Sequence, residues 1–336
     1  MTKPVVKLQD VHVHYPGHPP LHAVKGISFE LYPGEVVGLV GESGCGKSTV
    51  ARALAGLIKP SSGQIAYHGQ PISPRGVGRR PLEQTGIQMV FQDPGSSLNP
   101  RRRVGVQIQD GLDLAKRRRR GLTGVEVPQL PDHSGDTEAG QAGPAGLAAG
   151  LNQLDPLTGG ASGLGADGAL TASQVPDRLT SGHGPSTPGE WLERIGLDPK
   201  DAARFPRSFS GGQRQRIATA RVLAAQPDVL IGDEPISALD ASTQARVAYL
   251  MSTLATAQGA ALLFISHDLS VVRLIADRLM VMYNGQIVER GPTEQIWNAP
   301  RHPYTVSLLG AIPLPDGEGR LPQTLPPGTQ FPPPLD

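Results

Sequence analysis

Cysteine is all but missing from this chain: among 336 residues the one thiol is Cys45. That excludes a disulfide framework and a thiolate metal cluster. Net charge is nearly absent too, with 31 Lys and Arg against 30 Asp and Glu for a formal +1, so the balance carries no signature of a nucleic-acid binder. No stretch approaches the roughly 18–20 apolar residues of a membrane span. The opening residues, Met1 to Asp10, have neither an apolar core nor a cleavage signal. The expectation is a soluble, cytoplasmic chain that remains free to dock on a membrane protein. Its length suits one large α/β domain with additions, or two modest domains. One long tract also lacks what a core requires. From Gly121 to about Glu190 there is no Phe, Trp or Tyr, the only cation is Arg178, and Gly, Pro, Ala, Ser and Asp dominate. Such a tract cannot bury enough apolar surface to offset its ordering entropy, and it reads as a flexible insertion rather than a folded domain. The run Lys116 to Arg120 before it fits a contact with nucleic acid or lipid headgroups or, more plainly, the solvated end of a helix.

What is present concentrates at Gly41-Glu42-Ser43-Gly44-Cys45-Gly46-Lys47-Ser48, a full match to G-x-x-x-x-G-K-[ST]. The preceding Val36 to Val40 is short, apolar and β-branched, as a buried strand should be. The glycines let the backbone curl with its N–H groups inward, where they can cradle a pyrophosphate. Lys47 can reach β- and γ-phosphates, and the Ser48 hydroxyl is placed for Mg²⁺. From Ser48 the apolar spacing Val50, Leu54, Leu57 turns helical, which sets phosphate on a helix N-terminus. Cys45 suits either a small loop residue or a thiol among amides, open to alkylation and shielded by nucleotide.

Around this motif, strands are expected at Lys7–Val13, Ile27–Leu31, Ile65–Tyr67, Ile87–Phe91, Val229–Ile231 and Leu262–Ile265. A helical pattern (Ala245, Val247, Leu250, Leu254) lies between the last two, and Trp191 to Leu197 reads as a short helix stopped at Gly196. Alternation of strands and helices predicts a mostly parallel sheet. Asn284-Gly285 signals a type I′ hairpin between Leu279–Tyr283 and Gln286–Glu289. From Ile312 the chain is dense in proline and reads as an irregular tail.

Asp233 follows the apolar run Val229 to Gly232, where an acid opposite a phosphate loop is the usual second Mg²⁺ holder. Glu234, one residue on, can polarise an attacking water. Phe209-Ser210-Gly211-Gly212-Gln213-Arg214-Gln215-Arg216 opens another helix. A hydroxyl and two glycines at a helix start make a second anion site, or an ordinary capped helix. Two cradles in one chain make sense if the second serves a nucleotide held by another subunit.

Ser210-Gly211-Gly212-Gln213 with Arg214-Gln215-Arg216 resembles the ABC signature motif, and the whole chain resembles an ATP-binding-cassette ATPase. Tyr15 matches the aromatic residue that stacks on adenine, Gln92 in Val90 to Pro94 the Q-loop, and Asp233-Glu234-Pro235 the Walker B region. Ser237-Ala238-Leu239-Asp240 matches the D-loop, and His267 in Ile265 to Asp268 the switch histidine. Three stretches resemble oligopeptide and dipeptide importers, in particular the second ATPase of their pair: Gln88 to Arg101, Phe209 to Ile217, and Asn298 to Thr305 with Leu308-Leu309 and Ala311 to Pro313. The resemblance does not cover the insertion, and the iron–sulfur cluster of some relatives has no cysteines here to hold it.

The resemblance implies an α/β P-loop NTPase fold of the ABC ATPase type, with an antiparallel β subdomain, a RecA-like core and a helical signature subdomain. The nucleotide-binding domain would span 1–278, its helical subdomain about 93–225 interrupted by the insertion at about 121–190. A C-terminal extension at 279–313 and a Pro-rich tail at 314–336 would follow. It implies ATP and Mg²⁺ as cofactors. Tyr15, Gly41, Ser43, Gly44, Cys45, Gly46, Lys47, Ser48 and Thr49 would lie against the nucleotide. Ser48, Gln92 and Asp233 would hold the metal. Glu234 would be the base, His267 would orient the γ-phosphate, and Gln92 would sense it. Ser210, Gly211, Gly212 and Gln213 would act on ATP bound to a partner cassette, with Asp240 speaking across the interface. The implied partners are a second ATPase subunit, different or identical, two membrane permeases at whose cytoplasmic face the chain would sit, and indirectly a solute-binding protein. Nucleic acid is not among them. An importer of nickel or another small solute, and a soluble ABC protein acting on nucleic acid or ribosomes, are the alternatives.

Overall fold

The computed structural model describes residues 2–72, 81–92, 97–121, 185–237, 239–312 and 331–334. Asp93, Pro94, Ala238, most of the insertion and most of the Pro-rich tail lie outside them.

Ten strands and eight helices are described. The first sheet is antiparallel, in the order β2-β1-β4-β5, built from β1 (Val6–Tyr15), β2 (Leu21–Leu31), β4 (Ser62–Tyr67) and β5 (Gln70–Pro71). The second runs β10-β9-β3-β8-β7-β6, from β3 (Val36–Val40), β6 (Ile87–Val90), β7 (Val229–Asp233), β8 (Ala261–Ile265), β9 (Arg278–Tyr283) and β10 (Gln286–Pro292). Its pairs are parallel except β10 with β9. These are the expected antiparallel and RecA-like layers.

The parallel strands read as unbroken apolar runs because both faces are buried. In β3, Val36 and Val40 join one apolar cluster while Val37 and Leu39 join the other; in β8, Leu262 and Phe264 alternate with Leu263 and Ile265 in the same way. One face is covered by α1 (Lys47–Leu54) and the antiparallel sheet. The other carries α4 (Gly211–Leu223), α5 (Ala241–Thr256) and α6 (Leu269–Ile275). The same cluster takes in α2 (Val104–Gly121) and α3 (Pro188–Arg194), which border the insertion. Two short helices close the chain, α7 (Thr293–Asn298) and α8 (Pro303–Gly310).

Three expectations shift. The helix expected from Trp191 starts earlier: α3 begins at Pro188 with Thr187 capping it, because Pro at the first turn forfeits no hydrogen bond. Helix α1 stops at Leu54, and Gly56 in the left-handed region turns Leu57 out to the surface. Leu279 to Tyr283, at the expected start of the extension, lies in β9, which pairs with β3 within the core sheet. The Lys116–Arg120 run is not uniformly solvated. Arg118 is buried, donating to the Gln226 carbonyl (2.6 Å) and to Asp228 (2.6 Å), which also accepts from Tyr67 and pairs with His68. The hairpin at Asn284-Gly285 has positive φ at both residues, 44° and 85°, as a type I′ turn requires.

Candidate functional site

The loop between β3 and α1 makes two demands on glycine. Gly41 (φ 148°) leaves no room for a Cβ, which would run into the Met282 carbonyl, and Gly46 (φ 112°) would meet the Ala23 carbonyl. Gly46 is also the N-cap of α1 and brings no side-chain cap. The first-turn N–H groups of that helix are thus left for a ligand. Lys47 is buried, with Nζ donating to the carbonyls of Gly41 (2.7 Å) and Glu42 (2.7 Å), while Ser43 and Gly44 are exposed at the loop tip. This donor set, backbone amides around an ammonium, suits phosphate.

The acids stand at the end of β7. Ser48 Oγ donates to Asp233 Oδ1 at 2.8 Å, joining hydroxyl and carboxylate as one oxygen pair. Burial raises the Asp233 pKa, against the pull of the Ser48 hydrogen bond and of Arg52. Such hard oxygen donors beside a phosphate cradle fit Mg²⁺. Glu234 has φ 48°, a left-handed conformation uncommon outside glycine, with its N–H donated to the Ile265 carbonyl (3.0 Å). Its Oε2 accepts from Gln92 Nε2 at 3.2 Å and lies 3.5 Å from His267 Nδ1. Gln92, Glu234 and His267, which are far apart in sequence, therefore meet. Ser237 Oγ further donates to the Glu234 carbonyl at 3.1 Å. Tyr15 joins from the other sheet, its hydroxyl 3.4 Å from Thr49 Oγ1 on α1.

The remaining expected residues form a second set. Ser210 and Gln213 close a capping box on α4: Ser210 N donates to Gln213 Oε1 (2.9 Å) and Gln213 N to Ser210 Oγ (3.3 Å). The capped-helix reading of this segment is therefore realised in the chain by itself. Gly211 has open space beside it, and a Cβ on Gly212 would sit 3.4 Å from Thr243 Cγ2 and 3.7 Å from Leu239 Cδ2. Asp240 caps α5 through Thr243 N (3.0 Å). Gly212 thus neighbours Leu239 and Thr243 at two helix starts whose caps, Ser210 and Asp240, are exposed. The hydrogen bonds of Ser210 and Gln213 run to each other, not to the phosphate loop.

Of the two readings of Cys45, its burial favours the small loop residue over the reactive thiol. Cys45 is 9 % exposed in the apolar cluster, and burial pushes its thiol up in spite of Lys47. A contact the sequence did not signal comes from α8: the Tyr304 hydroxyl accepts from Glu42 N at 2.9 Å, across 262 residues. Pro303 and His302 announce a helix start in the sequence, but nothing in that pattern says which loop the helix reaches. The tail also returns to this corner, where the Phe331 ring lies edge-on to Tyr283 and Tyr304. Among the described residues, no helix is long and apolar enough to cross a membrane.

Comparison with known proteins matches residues 24–237 to the family model described as ABC transporter, and residues 288–333 to that described as oligopeptide/dipeptide transporter, C-terminal region. The chain is 38 % identical over 318 residues to the oligopeptide transport ATP-binding protein OppF of Bacillus subtilis, covering 94 % of this chain and 85 % of that one. It is 39 % identical over 297 residues to the glutathione import ATP-binding protein GsiA of Salmonella typhimurium, covering 88 % of this chain but 38 % of that longer one. Among solved structures, the dimeric ATP-binding cassette MJ0796 bound to ADP and Pi is similar, with TM-score 0.56, 22 % identity and coverage of 86 % and 98 % of the two chains. Tyr15, Asp240 and His267 fall outside the stretch matched by the cassette family.

Proposed function

The chain belongs to the ABC transporter ATPase family, and from that premise we propose that it is the ATP-hydrolysing subunit of an importer for short peptides, working as one of a pair of cassettes. The carrying observation is the convergence of Gln92 and His267 on Glu234, next to the Ser48–Asp233 pair and the phosphate loop. In this reading the amides and Lys47 of residues 41–49 hold the phosphates, and Tyr15 packs on the base. Ser48 and Asp233 hold Mg²⁺ with Gln92, and the metal neutralises charge on the phosphate oxygens when bound. Glu234 accepts a proton from water, and His267 orients the γ-phosphate beside it.

The second set supports the pairing. Ser210 and Asp240 are exposed caps of two neighbouring helix starts, where a partner's nucleotide would be reached. The MJ0796 cassette is itself dimeric. The partner would be a second cassette, different or identical in sequence, and the pair would drive two permeases from the cytoplasmic face of the membrane. Short peptides are favoured as solute by the C-terminal match and by OppF, and glutathione, the solute named for GsiA, belongs to the same chemical class.

The test is Glu234→Gln in the assembled transporter. MgATP binding is expected to persist while turnover falls by roughly 10²–10⁴-fold. Near-normal hydrolysis would remove Glu234 from the role. In vesicles carrying the transporter and its binding protein, stimulation of ATP hydrolysis by nickel and not by a tripeptide would overturn the solute class.

A further inference from the structure

Both backbone polar groups of Glu42, in the two peptide units that flank its Cα, are held. Its carbonyl accepts from Lys47 Nζ at 2.7 Å, and its N–H donates to the Tyr304 hydroxyl at 2.9 Å. Lys47 is the cation that must meet the phosphates, so whatever fixes Glu42 also fixes the rest position of that ammonium. Tyr304 is only 1 % exposed and sits in the first turn of α8. Burial raises its pKa, so the phenol stays neutral at physiological pH.

Its surroundings restrict it further. The His302 ring caps α8, with Nδ1 accepting from Tyr304 N (3.2 Å) and Nε2 directed at the Pro332 carbonyl (3.2 Å). Those two contacts require Nε2 to carry the proton. Glu289 accepts from the backbone N–H of Arg301 (2.8 Å) and His302 (3.0 Å). The Tyr304 ring packs on Tyr283 at 4.5 Å between centroids, and Phe331 meets both rings edge-on at 5.2 Å. An aromatic corner with a single hydroxyl aimed at a loop amide has little freedom to move that hydroxyl elsewhere.

We propose that Tyr304, braced by Phe331, is a positioning residue for the nucleotide site: it fixes the first turn of the phosphate loop through Glu42, so that the far C-terminal segment sets how tightly nucleotide is held. This rests on the reading of residues 41–49 as the nucleotide site. Tyr304 touches neither nucleotide nor water; it acts through Glu42 and Lys47.

The experiment uses the full-length chain in its transporter, as wild type, Tyr304→Phe, Phe331→Ala and Lys47→Ala. Three quantities are read: Kd for MgADP, KM and kcat for MgATP, and the unliganded thermal midpoint. Tyr304→Phe removes one oxygen and keeps the ring. Loss of this part-buried hydrogen bond is expected to raise Kd and KM roughly three- to tenfold, with kcat within about twofold, the pattern of lost uniform binding. Phe331→Ala should move KM in the same direction. A Tyr304→Phe enzyme with KM and Kd within twofold of wild type overturns the proposal. So does a loss of affinity that simply scales with lost unliganded stability across the two variants. If Lys47→Ala binds nucleotide as wild type does, the reading of the site itself fails. If Lys47→Ala loses nucleotide while Tyr304→Phe does not, the role of Tyr304 alone fails.

Discussion

Arg118→Met is expected to destabilise the protein far more than Arg119→Met, one position along the same cationic run. The Arg118 side chain is 8 % exposed and makes two short bonds, to the Gln226 carbonyl (2.6 Å) and Asp228 Oδ2 (2.6 Å). Methionine keeps the apolar stem in place and removes the charge. Removing one member of a buried pair costs about 3–5 kcal/mol. The Asp228 side chain is 35 % exposed and keeps Tyr67 and His68 as partners, so solvent screening lowers the expectation to about 2–3 kcal/mol. The exposed Arg119, among the described residues, bonds the half-buried Gln226 side chain, and its loss should cost about 0.5 kcal/mol or less. In thermal unfolding the Arg118 variant should melt about 4–12 °C lower, at about 2–4 °C per kcal/mol for a larger chain. The pH dependence has a fixed sign. Burial would raise the Asp228 pKa, but the His68 hydrogen bond, the Arg118 charge and Tyr67 outweigh it and hold the folded value low. A depressed carboxylate stabilises above its unfolded pKa and loses that stability as pH falls through the folded value. The gap between wild type and Arg118→Met should therefore narrow below about pH 4. Equal midpoints for the Arg118 and Arg119 variants, or a coupling below about 0.5 kcal/mol in a cycle with Asp228→Asn, would refute the reasoning.

Gly46→Ala should abolish MgATP binding and lower unliganded stability by about 2 kcal/mol or more, because φ of 112° and the Ala23 carbonyl both oppose a Cβ; calorimetric titration with a melting curve checks both effects, and an alanine variant that binds nucleotide would contradict the stated geometry. Cys45 should react with a maleimide at least tenfold more slowly than a free thiol at pH 7, since its raised pKa starves it of thiolate. The rate should climb with pH, and fast labelling at neutral pH would count against a buried thiol.

Much of this was legible in residue order. Val36 to Val40 and Leu262 to Ile265 announced buried strands because parallel strands covered on both faces lack polar alternation. Asn284-Gly285 announced its turn because few other residue pairs tolerate positive φ twice. The loop at 41–48 announced its ligand class through spacing that only backbone curvature explains. What stayed hidden depends on tertiary approach. Nothing local separates Arg118 from Arg117 or Arg119, because burial within a cationic run is decided by where Asp228 and Gln226 end up. The pairing of β9 stayed hidden for the same reason: Leu279 to Tyr283 reads as an ordinary apolar strand, and its partner β3 lies more than two hundred residues earlier. The Tyr304 contact joins two segments whose sequences say nothing about each other. The capping box at Ser210 and Gln213 was readable, but a cap and an anion site share one sequence pattern.

If the two cassettes proposed above close on nucleotide, the anchor at Gln226 and Asp228 is where α4 would pivot. Arg118 and Arg119 clamp the exit of α4 at the end away from Ser210. Helix α4 has 13 residues, a lever arm of about 20 Å. Turning that arm by about 10° around the clamped end would sweep its free tip through roughly 3.5 Å. That is about the length of one hydrogen bond, the difference between a serine that touches a facing phosphate and one that does not.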